Sequence, residues 1–137
     1  MSTPALPIIG STALVEIAGV AGIPAKIDTG ADSSSLWASA ITMTPDNYLE
    51  FCLFSPLSPL YTGAKIRTKE YSVQRVRSST GEVTVRYRVR LSMKAAGKRI
   101  RASFTLADRS TNNFPVLIGR KTLKKRFLVD VAKVGAE

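Results

Sequence analysis

The residues with the clearest potential for chemistry lie in one stretch, Ala25-Lys26-Ile27-Asp28-Thr29-Gly30-Ala31-Asp32-Ser33-Ser34-Ser35-Leu36-Trp37. An apolar approach ends in the Asp28 carboxylate, followed at once by the Thr29 hydroxyl and Gly30. Gly30 lacks a Cβ and can adopt angles closed to other residues, so the pattern predicts a sharp turn just after Asp28. Such a turn holds a carboxylate at a strand end with a hydrogen-bonding hydroxyl beside it. A carboxylate fixed in this way serves as a general base towards water or, when protonated, as a general acid. Taken alone, the tripeptide also fits a plain turn whose aspartate caps nearby backbone amides.

Composition narrows the chemistry further. The 137 residues include no histidine and one cysteine, Cys52. That excludes the common zinc constellations and the Ser-His-Asp and Cys-His nucleophile systems. It leaves Asp, Glu, Ser, Thr, Lys, Arg and Tyr to carry any reaction. A lone cysteine allows no internal disulfide and suits a reducing compartment. Hydrophobic residues at 45% and charged ones at 22% describe a folded chain long enough for one core. The formal net charge is +10, from 20 basic and 10 acidic residues, and apart from Lys26 the basic ones run from Lys65 to Lys133. That charge fits a self-repelling surface, or attraction to nucleic acid, acidic membranes or acidic substrates. No basic residue precedes the first apolar run, unlike a secretory signal, and the apolar residues 13–23 are too few to span a bilayer. A cytoplasmic protein that does not enter membranes is the expectation.

Short apolar runs bounded by turn residues form the elements that must position Asp28. Residues 13–17 read as a strand, 18–22 as a tight turn and 23–27 as a second strand entering the Asp28 loop. Residues 38–43 read as a strand, Thr44-Pro45-Asp46-Asn47 as a turn and 48–54 as an aromatic-rich strand. Trp37, Tyr48, Phe51 and Phe54 are expected in the core. Residues 55–63 read as a loop, 65–76 as extended chain and Ser78-Ser79-Thr80-Gly81 as the turn of a hairpin. The clearest periodicity follows. Val83, Val85, Tyr87, Val89 and Leu91 alternate with Thr84, Arg86, Arg88, Arg90 and Ser92, which predicts one buried and one basic face. Ile100, Ala102, Phe104 and Leu106 repeat the alternation after a turn at residues 95–98. Val116-Leu117-Ile118 reads as a strand buried on both faces, Gly119 as its break, 120–125 as a turn or two of helix and 127–131 as a final strand. Residues 1–12 read as an arm or edge strand, and the last few as frayed. Many short strands, little helix and closely spaced turns make this a single all-β, barrel-like domain.

Two stretches, read together, resemble the signatures of retropepsin-like aspartic proteases. Ala25-Lys26-Ile27-Asp28-Thr29-Gly30-Ala31-Asp32 is similar to their active-site loop, and Phe114-Pro115-Val116-Leu117-Ile118-Gly119-Arg120 to their second signature. The hairpin turn Ser78-Ser79-Thr80-Gly81-Glu82 falls between them, where the family places its flap, and Arg126-Phe127-Leu128-Val129-Asp130 resembles the family's closing stretch. Over roughly residues 8–132 the chain resembles the cellular branch often labelled "ATP-dependent zinc proteases" and linked with RimK-type ligases. The residues themselves supply neither zinc donors nor a phosphate-cradling glycine loop, so no cofactor is expected.

The resemblance implies a closed retropepsin-like barrel with a flap hairpin and one short helix near the C-terminus. It implies that Asp28 is catalytic, that Thr29 braces the loop against its partner loop, and that Gly30 and Ala31 complete the loop. It pairs Asp32 with Arg120 near the site, makes Ile118 and Gly119 part of the second signature, and assigns Ser78, Ser79, Thr80 and Gly81 to a flap over bound peptide. Such proteases need two aspartates sharing one proton. The chain has one Asp-Thr-Gly, and Asp32, Asp46, Asp108 and Asp130 lack its context, so the implied active unit is a C2 homodimer. The implied substrate is an extended peptide, and the net charge would favour acidic ones. Two other readings stand beside this. One is a catalytically silent peptide-binding or scaffolding module, suggested by a flap poor in glycine and a long 44–64 segment. The other, less favoured, is a basic β-barrel that binds nucleic acid through Arg86, Arg88, Arg90, Arg99 and Arg101, a row that fits a solvated face better.

Overall fold

Among residues 5–135, which this computed structural model describes, the apolar alternations become eleven strands and one turn of helix. The strands are β1 (Ile8–Gly10), β2 (Thr12–Ile17), β3 (Val20–Ile27), β4 (Ser34–Met43), β5 (Leu49–Leu53) and β6 (Lys65–Thr68). They continue with β7 (Tyr71–Arg77), β8 (Val83–Ala95), β9 (Lys98–Ala107) and β10 (Val116–Ile118), then α1 (Arg120–Leu123) and β11 (Leu128–Asp130). The all-β expectation and the short helix near the C-terminus are both met. The strand order β10-β3-β2-β8-β9-β4 closes on itself, because β10 pairs with β4 as well as with β3. Closure leaves no unpaired edge around the six strands. Inside lie Ile17, Ile23, Leu36, Met93, Phe104 and Ile118, all fully buried.

Turn chemistry explains the hairpins. Ala18-Gly19 (φ 49° and 84°) and Ala96-Gly97 (φ 48° and 77°) each place two residues in the left-handed region, the twist a two-residue hairpin requires. The turn expected over residues 18–22 is therefore only two residues long. β3 starts at Val20, and Gly22 (φ 73°) sits within it at a bulge, where Ala21 and Gly22 of β3 face the single Glu16 of β2.

Three further differences have physical causes. The strand expected to begin at residue 38 begins at Ser34, since buried hydrogen bonds satisfy the Ser34 hydroxyl at a strand position. The 65–76 stretch divides into β6 and β7. The buried face expected along the whole 83–91 alternation exists only in part. Val89 and Leu91 are buried, but Val83 and Val85 are 50% and 46% exposed. β9 pairs with β8 only from Arg88 to Ala95, so the first residues of β8 have β7 as their sole partner and no barrel beneath them.

Trp37, Phe51 and Phe54 are buried, with the Trp37 and Phe54 rings edge-on at 6.2 Å. Tyr48 differs: it is half-buried, with the Arg67 guanidinium 3.9 Å above its ring. Of the N-terminal arm, Ile8–Gly10 is the strand β1, which pairs in parallel with β11. Residues 1–4 of that arm, and residues 136–137 of the tail expected to fray, lie outside the described residues.

Candidate active site

The position of Asp28 follows from topology. β3 and β4 are consecutive in sequence but not adjacent, because β10 lies between them, parallel to β3 and antiparallel to β4. The connecting loop, residues 28–33, must therefore cross the end of β10 immediately beyond Ile118. Backbone bonds weld the crossing. The Asp28 N–H donates to Ile118 O at 2.8 Å, the Arg120 N–H to Ala31 O at 2.8 Å and the Lys121 N–H to Asp32 O at 3.1 Å. Gly119 sits at the contact. A Cβ there would lie 2.5 Å from Ser33 O, 2.7 Å from Ser33 C and 2.9 Å from Ala31 O, so only glycine lets the two segments touch.

Beneath the crossing is a buried hydroxyl pair. Ser34 Oγ and Thr122 Oγ1 are 2.6 Å apart, and Ser34 Oγ also accepts the Gly119 N–H at 3.0 Å. These two are the only buried polar side chains among the described residues, and both have partners. Neither stood out in the sequence. Ser34 was one serine in a polar run, and Thr122 one position in a helical composition. Polarity at the start of a strand that continues into Leu36 and Trp37 was the available signal.

The loop itself is tight. The Gly30 N–H donates to Asp28 Oδ1 at 2.9 Å, and the Ala31 N–H to Asp28 O at 3.2 Å. Gly30 does not adopt the left-handed angles expected of it. Its role here is room, since a Cβ would stand 3.2 Å from Asp28 Oδ1. Arg120 reaches back over the loop, donating from Nη1 to Thr29 O at 3.0 Å and from Nη2 to Asp32 Oδ1 at 3.2 Å. Lys121 Nζ lies 3.4 Å from Asp32 Oδ2. These groups are exposed, so the ion pairs contribute only about 0–1 kcal/mol each and shape the loop more than they stabilise the fold. Thr29 is exposed, and its hydroxyl has no partner among the described residues.

The other aspartates are engaged locally. Asp32 holds Arg120 and Lys121, Asp46 pairs with Arg67 at 2.8 Å, and Asp108 and Asp130 accept the backbone N–H groups of Ser110 and Ala132. Asp28 is therefore a lone, half-buried carboxylate within one chain.

Residues 78–81 form the tip of the β7–β8 hairpin. The Gly81 N–H donates to Ser78 O at 3.0 Å with Gly81 at φ 88°, and the Ser78 and Thr80 hydroxyls bond to each other at 2.8 Å. All four residues are exposed, and the tip makes no hydrogen bond to the Asp28 loop among the described residues. Between the hairpin strands and the end of the loop runs an open groove of about 460 Å³. It is walled by Ser33, Ser34 and Ser35 where the loop enters β4, by Gln74, Thr84 and Arg86 of the hairpin, and by residues 105–107 of β9; neither Asp28 nor the 78–81 tip lines it.

Zinc, which the common label of similar proteins implies, finds no donor set. The chain has no histidine, Cys52 is buried, and no three metal-binding side chains converge among the described residues. Of the arginines considered for nucleic acid, Arg99 is committed to Glu16 at 2.9 Å and Arg101 to Glu70 at 2.7 Å. No helix among the described residues is long and apolar enough to cross a membrane.

Comparison with known proteins gives this geometry its context. Two curated relatives, each named "Probable alpha-L-glutamate ligase", come from Shewanella halifaxensis (strain HAW-EB4) and Shewanella pealeana (strain ATCC 700345 / ANG-SQ1). Each is 28% identical over 116 residues, covering 82% of this chain but 25% of the relative, so the chain spans about a quarter of their length. A crystal structure of a Legionella pneumophila protein of unknown function (DUF785) superposes with a TM-score of 0.74. It covers 94% of this chain and 96% of that one at 24% identity, and so shares the fold. Residues 9–135 match the family model described as "RimB-like: Retropepsin-like aspartic endopeptidase RimB". The barrel, the Asp28 crossing over Gly119 and that match over nearly the whole chain have one reading: the chain belongs to the RimB-like family of retropepsin-like aspartic endopeptidases.

Proposed function

We propose that the chain is an aspartic endopeptidase whose active unit is a C2 homodimer with one Asp28 from each subunit at the axis. The observation that carries the proposal is the lone Asp28 carboxylate, fixed by the Gly30 N–H and by the weld to β10, with no second aspartate free to partner it in the same chain. The Thr29 hydroxyl, exposed and without a partner among the described residues, would bond to the partner's loop across the axis. Ile8, Leu128, Val131 and Val134, each more than half exposed at or near the β1–β11 pair, offer apolar area for a second copy to cover.

In the dimer, two adjacent carboxylates cannot both ionise easily, so they share one proton and titrate as a pair. The ionised Asp28 takes a proton from a bound water as that water attacks the scissile carbonyl carbon. The protonated Asp28 donates a hydrogen bond to the carbonyl oxygen and stabilises its developing charge. The protonated Asp28 then passes its proton to that oxygen to give the tetrahedral diol. On collapse the C–N bond breaks, a diol hydroxyl returns a proton to this Asp28, and the leaving amine takes the proton that the other Asp28 drew from water. An extended peptide lies in the groove and bonds through its backbone to the loop and to the 78–81 tip, which closes over it. Acidic peptides suit the +10 chain, and the glutamate ligase names of the Shewanella relatives point the same way. The lone, buried Cys52 suits a cytoplasmic setting.

A silent peptide-binding module is the second reading, favoured by a flap tip with the single glycine Gly81. Peptide-library cleavage from acidic to neutral pH, with Asp28→Asn beside the wild type and dimer mass measured by light scattering, separates the two. Cleavage lost by at least ~10³-fold in Asp28→Asn, with fold and dimer retained, is the expected result. Undiminished cleavage by Asp28→Asn, or a well-folded dimer that cleaves nothing, rejects the endopeptidase.

A further inference from the structure

Next to the Asp28 loop lies a smaller cavity of about 200 Å³ whose walls are basic. Strand register builds it. Arg88 and Arg90, two residues apart on β8, share a face, and Arg101 joins them because β9 sets Ser103 opposite Arg90 and Arg101 opposite Ser92. Lys121 of α1 and Arg126 just beyond it close the other side, and the buried Ser34–Thr122 pair lies at its base. Two carboxylates touch this cluster: Glu70 holds Arg101 at 2.7 Å, and Asp32 lies 3.4 Å from Lys121. Arg88, Arg90 and Arg126 have no anionic partner among the described residues. Convergent cations in a narrow cavity focus a positive field, and guanidinium forks match a carboxylate's two oxygens.

We infer that this cavity is a subsite of the peptide cleft that reads one acidic side chain of the substrate, with Arg88, Arg90 and Arg126 as specificity residues. The inference rests on the endopeptidase reading and extends it to named residues. Continuity argues for a substrate side chain. Ser33, Ser34 and Arg88 line both this cavity and the groove between hairpin and loop. Ser33 follows Asp28 by five residues, so the two lie within ~18 Å, a distance that about five residues of extended peptide cover.

The test has two arms. In the first, wild-type protein cleaves peptide pairs that differ only by Glu or Gln at one position, scanned along the cleft. The expected result is one position at which Glu is favoured in kcat/KM by roughly 10- to 100-fold. Arg88→Gln/Arg90→Gln should bring that ratio towards one, while Lys65→Gln/Lys94→Gln, which removes the same charge elsewhere, should leave it in place. In the second arm, Asp28→Asn protein is titrated with fluorescent oligo-glutamate and oligo-glutamine peptides. Selective binding of oligo-glutamate, weakened only by the cavity variants, supports the subsite even if wild type cleaves nothing, in which case the endopeptidase reading alone falls.

Cleavage with no charge preference at any position overturns the subsite and leaves the endopeptidase standing. Equal loss in the Lys65→Gln/Lys94→Gln control overturns it too, by showing a diffuse field. Displacement of oligo-glutamate by inorganic phosphate at matched ionic strength, with a flat cleavage ratio, assigns the cavity to free anions and overturns it. Preferential binding of a single-stranded RNA oligonucleotide, lost in the cavity variants, does the same in favour of nucleic acid.

Discussion

The two halves of the site are held by different physics. The Asp28 half is fixed by contacts between segments about ninety residues apart in sequence: Asp28 with Ile118, Ala31 with Arg120, and Ser34 with Gly119 and Thr122. Removing any one disturbs the others, because the loop, β10 and α1 share the same few hydrogen bonds. The hairpin half is local. Its tip is stitched to itself through residues 78–82, and the strands below it pair only with each other until Arg88 meets β9. One half is built to hold a carboxylate still. The other has the few buried contacts and exposed ladder expected of an element that opens and closes.

The strongest way to break this contrast is at the weld. Gly119→Ala drives a Cβ into Ser33 O and Ala31 O, which are backbone atoms with no rotamer to yield. We expect a loss of about 3 kcal/mol or more in urea unfolding, with the loop displaced. A loss under ~1 kcal/mol would mean that the crossing is slack. Next comes a matched pair on one strand. Met93 is fully buried, and Met93→Ala should cost about 2–5 kcal/mol, whereas Val85→Ala on the hairpin should change stability by no more than about 0.5 kcal/mol. Equal costs would show that the hairpin packs on something as firm as the barrel. Ser34→Ala comes third. It strips the Gly119 N–H and Thr122 of their buried partner and should cost about 1–3 kcal/mol. Amide exchange should quicken at residues 119–122 and stay unchanged at 78–81.

The contrast also explains what could be read from sequence. Strand alternation is a local signal, and it revealed the barrel half of β8, where Val89 and Leu91 are buried. The same alternation runs on through Val85 and Val83, yet those valines are exposed. Periodicity marks an apolar face but not whether another element covers it. Asp28, Gly119 and Arg120 were legible because their motifs are compact, while their mutual contacts were not, since strand order decides what crosses what. Arg88, Arg90 and Arg126 show the same limit. The first two stood in a row that read as a solvated face, and only the β8–β9 register and the position of α1 draw them into one cavity.

The smallest expected effect concerns acid. Asp108 opens the segment that delivers β10 to the Asp28 loop, and hydrogen bonds from the Ser110 backbone first and its side chain second hold its carboxyl below the ordinary 3.8. Asp46, in the β4–β5 turn, is held low first by the Thr44 hydroxyl and further by Arg67. A carboxyl whose folded pKa is depressed adds stability above its unfolded pKa, and that contribution fades as pH falls through the folded value. Both groups therefore weaken the barrel side of the molecule as pH falls below about 4, Asp108 beside β10 and Asp46 at the β4–β5 turn, and neither belongs to the hairpin. Asp108→Asn keeps an oxygen to accept the Ser110 N–H but cannot ionise. Its urea midpoint should fall less steeply than wild type's between pH 5 and pH 3, and Asp46→Asn should add to the flattening. Exchange at the 78–81 tip should follow pH identically in all three proteins. If the acid slope is unchanged in both variants, acid sensitivity arises elsewhere in the chain, and the 108–115 segment holds β10 in place without help from the Asp108 charge.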